Sequence, residues 1–247
     1  MKEFRKEYIG GGISLFVSDE HTFGTDAVLL ADFSSPSPKA VCCDLGSGCG
    51  IIPFIWCKKN GGKITAVEIQ PQGIEQINAG IEYNGLTQRV EAVCTDLREI
   101  KGKLPFGAYN LVTMNPPYTA EGAGIISSSG ADKIARHGTM CSFSDICFAA
   151  SKLLNFGGRL CMCLRPERLC ELMMQMKNNS IEPKRLRFVA KEPGKAPWLV
   201  LIEGKRGGKS GLKVEPELYI YGSDGKYSPE MNRIYGDYLP ENRGENS

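Results

Sequence analysis

The chain has no uninterrupted apolar run near the roughly 20 residues that a membrane-crossing helix needs, although 42% of its 247 residues are apolar. A globular protein with a full core is expected, as one large domain or one domain with an appendage. The opening stretch MKEFRKEYIGGG lacks the apolar centre of a secretory signal, so the protein is expected to work in the cytoplasm. Histidine is scarce: neither His21 nor His137 has a second histidine at ligand spacing, which removes the common zinc patterns. Cysteine is plentiful, but none of the ten forms a C-x-x-C pair. Cys42, Cys43, Cys94, Cys161 and Cys163 sit in apolar, strand-like runs and read as buried free thiols. Internal repeats are missing, and low complexity is confined to the polar tail from Pro240.

What is present is an alternation. From residue 40, short β-rich runs near 40–45, 63–68, 90–95, 109–114 and 158–164 alternate with amphipathic runs near 50–60, 71–84, 144–155 and 167–177, as in a parallel sheet covered by helices. Two more strands are expected near 185–190 and 197–203. Their connection, KEPGKAP, is too short for a helical crossover, so they should pair antiparallel at the sheet's edge. The stretch 118–140, rich in glycine and serine, is longer than an ordinary connection and is expected to be functional or mobile. Before the first strand, HTFGTDAVLLADF (21–33) has apolar residues at helical spacing.

Strand one ends in CCDLGSGCGIIPF, where Gly46, Gly48 and Gly50 form a turn that lets the backbone approach a ligand at the carboxyl edge of the sheet. The dinucleotide pattern G-x-G-x-x-G is not met, since the third glycine comes one position early. Asp44, two residues before the loop, would repel a pyrophosphate but suits a cation such as the amino and sulfonium groups of S-adenosylmethionine. Glu68 ends strand two, 20 residues beyond Gly48, where it can accept from both ribose hydroxyls. Asp96 ends strand three, placed to accept from an adenine amino group. Each acid alone could be a polar strand end; three in succession point to a ligand.

Strand four runs into Asn115-Pro116-Pro117-Tyr118. Two prolines in a row cannot continue a strand and make a stiff corner. Glycine loop, Glu68, Asp96 and NPPY in this order resemble a class I S-adenosylmethionine-dependent methyltransferase over roughly residues 40–203. That likeness implies a Rossmann-like α/β fold: a seven-stranded, mostly parallel sheet with helices on both faces and an antiparallel last strand. It also implies that NPPY receives a planar NH2 group. An exocyclic amine is a poor nucleophile because its lone pair is delocalised. The Asn115 side-chain oxygen and the Pro116 carbonyl could hold its two hydrogens and favour a tetrahedral nitrogen, which is catalysis by positioning. Tyr118 offers a face for a flipped-out base, a contact worth about 1–3 kcal/mol.

The motif itself leaves adenine, guanine and glutamine amides open as substrates. Glutamine methyltransferases usually carry a helical domain before the loop, whereas only 43 residues precede Asp44 here. HTFGTDAVLLADF, ARHG, GGRLCMCLRPERL, EPKRLRFV and LVLIEGKRGGKSGL are similar to segments of the bacterial family of valine-tRNA adenine-N6 methyltransferases, across nearly the whole chain. The resemblance implies methylation of adenine N6 in RNA, in a tRNA near the anticodon; a protein glutamine N5-methyltransferase and an rRNA guanine-N2 methyltransferase remain the alternatives. Carried over by position, Gly24, Thr25 and Asp26 border the methionine end of the cofactor, with Asp44, Gly46, Gly48, Glu68, Asp96, Leu97 and Asn115 completing its site. Arg165 and Arg168 face the substrate. Relatives often have glutamate where this chain has Gly138, which removes a possible helix-capping or loop-ordering carboxylate. Arg136 and His137, just before it, could bind phosphate or stay solvated.

The net charge of +2 conceals a basic segment, 184–213, with nine Lys and Arg against two acids. Arg185 and Arg187 share one side of a strand there, and Lys195, with Lys191, flanks a Pro-Gly turn beside it. These residues are expected to position RNA through its phosphates. The expected organisation is an N-terminal extension, 1–39, packing on the cofactor site, a methyltransferase domain, 40–204, and a basic and polar extension, 205–247. No metal or membrane partner is expected.

Overall fold

The computed structural model describes residues 4–19, 21–58, 62–117, 141–236 and 238. An N-terminal hairpin, β1 (Arg5–Tyr8) and β2 (Ser14–Val17), precedes helix α1 (Thr25–Ser34). The chain then alternates: β3 (Cys42–Leu45), α2 (Ile51–Cys57), β4 (Ile64–Glu68), α3 (Pro71–Tyr83), β5 (Val90–Cys94), β6 (Tyr109–Met114), α4 (Phe143–Leu153), β7 (Leu154–Leu164), α5 (Leu169–Asn178), β8 (Ile181–Ala190) and β9 (Leu199–Arg206). Two short strands, β10 (Lys213–Val214) and β11 (Leu218–Tyr219), and helix α6 (Pro229–Tyr235) close it.

The sheet runs β8-β9-β7-β6-β3-β4-β5, with β10 and β11 both paired to the outer side of β8. All neighbours from β5 to β7 are parallel, and β9 alone is antiparallel to both its neighbours, β7 and β8. The β8–β9 pair is antiparallel as expected, but β9 is interior. β8 is not a bare edge either, because the C-terminal extension adds two parallel strands to it. Strand order reverses between β3 and β6, which opens a crevice at their carboxyl ends.

Period-two alternation sorts the core into two layers. Cys42, Ala66, Leu111 and Cys161 pack under α1, α2 and α3, while Cys43, Val67, Val112 and Met162 pack under α4 and α5. Of the five strand cysteines, Cys42, Cys43, Cys161 and Cys163 follow this pattern as small apolar residues, whereas Cys94 is exposed, as is Cys170 of α5. Cys94 ends β5, the outermost strand on its side of the sheet, with no further strand beyond it among the described residues. α1 is buried on nearly every side, and Trp56 ties it to α2 by donating from Nε1 to Ala31 O and Ser34 Oγ. α4 does not need a carboxylate at 138. Ser142 and Asp145 form a reciprocal cap, the Ser142 hydroxyl accepting from Asp145 N at 3.1 Å and the Asp145 carboxylate accepting from Ser142 N at 2.9 Å. Positions 118–140, with Tyr118, Arg136, His137 and Gly138, lie outside the described residues.

Candidate active site

The crevice at the reversal point is a pocket of about 460 Å³. The turn after β3 forms its floor: Gly46, Gly48 and Gly50 all have positive φ, at 66°, 55° and 84°. A Cβ on Gly50 would come within 2.9 Å of the Phe54 ring, whereas a Cβ on Gly48 would meet nothing within 4 Å. Gly50 is therefore a packing glycine, and Gly48 leaves open space for a ligand against the backbone.

Glu68 is buried and braces this loop. Its Oε2 accepts from Gly48 N and its Oε1 from Gln70 N, both at 2.8 Å. Each oxygen keeps a lone pair for a hydroxyl donor. A Cβ on Gly73 of α3 would sit 2.7 Å from Glu68 Cγ, so that glycine, which no motif marks, is what admits the carboxylate.

Asp44 is 1% exposed, and its Oδ1 accepts from Thr113 Oγ1 at 2.6 Å. Burial pushes its carboxyl up to about 7, and the Glu68 charge adds to this; bonds from Thr113 and Ser47 pull the other way. A buried carboxylate with hydroxyl partners and a second acid nearby favours a cation. Asp96 lines the opposite wall with Leu97. It caps the turn after β5 by accepting from Arg98 N at 2.8 Å, and its carboxyl is held down chiefly by hydrogen bonds from Arg98.

Asn115 follows the end of β6 on the rim, beside Pro116 and Pro117. Its Nδ2 donates to Asp26 Oδ2 at 2.9 Å, and its Oδ1 accepts from the Cys163 thiol at 3.0 Å. A carboxylate only accepts, so Asp26 fixes which end of the amide carries the NH2. Gly24 and Asp26 line the pocket from the start of α1; Thr25 does not, its hydroxyl lying 2.9 Å from Tyr235 Oη of α6. His21 also lines it, with both ring nitrogens buried and without a hydrogen-bond partner among the described residues. Cys163, His21 and Tyr235 carry no motif; only their sheet register and helix packing reveal them.

The arginines expected at the substrate are mostly spent inside the fold. Arg185 donates to Phe33 O at 2.6 Å and to Glu203 at 2.9 Å, with its guanidinium 3.9 Å from the Phe33 ring centre. Arg187 grips Glu230 with two bonds, at 2.8 and 2.7 Å. They do share a side of β8, as expected, but that side faces α1 and α6 and carries acids, so phosphate contact gives way to internal ion pairing. Arg168 pairs with Glu171 at 2.8 Å. Arg165 and Lys195 are exposed.

A doubly wound parallel sheet with one antiparallel strand set between the last two, and a glycine turn with acids at three strand ends, is the architecture of class I methyltransferases. Residues 13–182 match the methyltransferase small domain family, and the chain belongs to that S-adenosylmethionine-dependent family. Curated relatives are distant. A tRNA1(Val) (adenine(37)-N6)-methyltransferase of Bacteroides fragilis is 25% identical over 72% of this chain and 75% of its own length. The enzyme of that name from Parabacteroides distasonis is 26% identical over 87% and 89%. Among solved structures, a predicted O-methyltransferase from Agrobacterium tumefaciens shares the fold with a TM-score of 0.71 at 19% identity, over 87% of this chain and 97% of that one. No helix among the described residues is long and apolar enough to cross a membrane.

Proposed function

We propose that this methyltransferase acts on the N6 amine of adenine in RNA, a tRNA near the anticodon. The observation that carries the proposal is the clamped amide of Asn115 on the rim of a pocket whose floor holds buried Asp44. S-adenosylmethionine, when bound, supplies an electrophilic methyl group. The pocket suits it: Asp44 favours a cationic group, Gly48 leaves backbone space, and Glu68 offers lone pairs to ribose hydroxyls. Asp26 and Cys163 hold Asn115 with its oxygen turned from the acid and toward the pocket rim. That oxygen and the Pro116 carbonyl accept the two amine hydrogens and turn the nitrogen lone pair toward the donor. No strong base is needed, because the amine gains acidity as the new bond forms and loses its proton afterwards.

The names of the curated relatives support adenine and tRNA, and such a substrate places the protein in the cytoplasm. In this reading the N-terminal extension completes the cofactor site through residues 21–26, with Gly24 and Asp26 on its wall, and residues 213–235 brace the far strands. The test is incubation of the purified protein with S-adenosylmethionine and an unmodified valine tRNA transcript, followed by nucleoside mass spectrometry. N6-methyladenosine is the expected product; N2-methylguanosine, or methylation of protein glutamine with no RNA product, would replace the reading with one of its rivals.

A further inference from the structure

A second pocket lies beside the first, on the turn between β8 and β9. Lys191, Glu192, Lys195, Ala196, Trp198 and Tyr221 line it, around a volume of about 400 Å³. We infer that it binds a nucleotide next to the target base, stacking that base on Trp198 and Tyr221 and meeting its phosphate with Lys191 and Lys195. The inference rests on the RNA reading above and adds a site to it.

Register places the pocket. Met114 lies beside Met162 on β7, and Leu164 lies beside Val200 on β9. One step further along sets Asn115 beside Cys163, the pair joined by the thiol hydrogen bond, and Arg165 level with Leu199, the residue after Trp198. With strands about 4.8 Å apart, Trp198 lies about 10 Å across the sheet, two strands over from the one that ends at the NPPY corner. Arg165 bridges this gap, donating to Trp198 O at 3.2 Å with its guanidinium 5.5 Å from the Trp198 ring centre. From the other side, a row of rings links the two pockets. Tyr221 stacks on Tyr227 at 5.4 Å, Tyr227 meets Tyr235 at 5.3 Å, and Tyr238 joins Tyr235 to Phe23 on the cofactor wall at 5.9 Å each.

The chemistry suits a nucleotide. Trp198 is half-buried, and its Nε1 is shielded with no hydrogen-bond partner among the described residues, leaving a donor for an acceptor on a base edge. Tyr221 is exposed, and its backbone N donates to Lys191 O, which keeps ring and lysine together. Lys195 lies 3.8 Å from Glu192 in an exposed pair that a phosphate can displace at little cost. Aromatic faces with flanking cations are how single-stranded nucleic acid is held without base pairing.

The protein supplies its own reporter, because its only other tryptophan, Trp56, is buried and hydrogen-bonded inside the core. A single-stranded RNA oligonucleotide carrying the target should quench Trp198 fluorescence, and Trp198→Phe should abolish the quench. Tyr221→Ala, and separately Lys191→Ala with Lys195→Ala, should raise the KM for RNA about 5- to 100-fold, the range set by one stacked base. Turnover at saturation and affinity for S-adenosylhomocysteine should stay within about twofold. Equal quenching by inorganic polyphosphate would overturn the stacking claim. An unchanged KM in both variants of an RNA-methylating enzyme would overturn the pocket alone, while a wild type with no RNA product would remove the pocket and the function reading together.

Discussion

Asp44 makes cofactor binding depend on pH in a calculable way. Its carboxyl is raised to about 7, chiefly by burial, whereas a cationic ligand needs it ionised. If only the ionised form binds, the competent fraction falls from roughly three-quarters at pH 7.5 to roughly 3% at pH 5.5, so affinity for S-adenosylhomocysteine should drop about 25-fold, or ~2 kcal/mol. Titration calorimetry across that range, repeated in buffers of different ionisation enthalpy, should also detect proton release on binding near pH 7. Asp44→Asn should remove the slope while keeping an acceptor for Thr113. Its effect on the ligand-free fold has the opposite sign. Below about pH 4 the carboxyl is protonated whether folded or not, so burial carries no ionic cost. Between about 4 and about 7 only the unfolded chain ionises, and stability falls as pH rises, levelling off above 7 with a loss of at most about 4 kcal/mol. At pH 7.5 Asp44→Asn should therefore melt higher than the parent without ligand and bind ligand worse. A pH-independent affinity in the parent, or a slope that survives in Asp44→Asn, would refute the argument.

Asn115→Ala should cut single-turnover methylation about 100- to 1000-fold, the scale of losing an oxyanion-hole donor, with cofactor binding nearly unchanged. Cys163→Val removes the donor to Asn115 Oδ1 and should lower turnover about 3- to 10-fold, the worth of one neutral hydrogen bond, whereas Cys163→Ser should retain most of it; equal rates for the two would show that the thiol does not orient the amide. Arg187→Ala should lower stability by about 1–2 kcal/mol, discounted because Glu230 is a third exposed, and leave the KM for RNA alone. Thermal melting and an RNA titration check both parts, and a weakened RNA affinity with normal melting would return Arg187 to the substrate.

Local signals were enough for the strand–helix alternation, the glycine turn and the carboxylates at strand ends, because period, backbone freedom and strand termini are properties of a few adjacent residues. Asp44, Glu68, Asp96 and Asn115 could be picked out as pocket residues for that reason: each ends or follows a parallel strand, and parallel strands share one carboxyl edge. Pairing across distance was beyond such signals. KRLRFV carries the same charge whether it faces solvent or α6, and only the packing of the C-terminal extension supplies Glu230 to Arg187. Cys94 reads as apolar as Cys161, yet one ends an outer strand and the other lies between two neighbours. The hydrogen bond from Cys163 to Asn115 joins residues 48 positions apart that meet because β6 and β7 lie side by side, and the Trp198 pocket joins a turn to a strand added from the C-terminal extension. The chain's own order therefore set what each segment could become, and the tertiary fold decided which charges were spent inside and which side chains share the site.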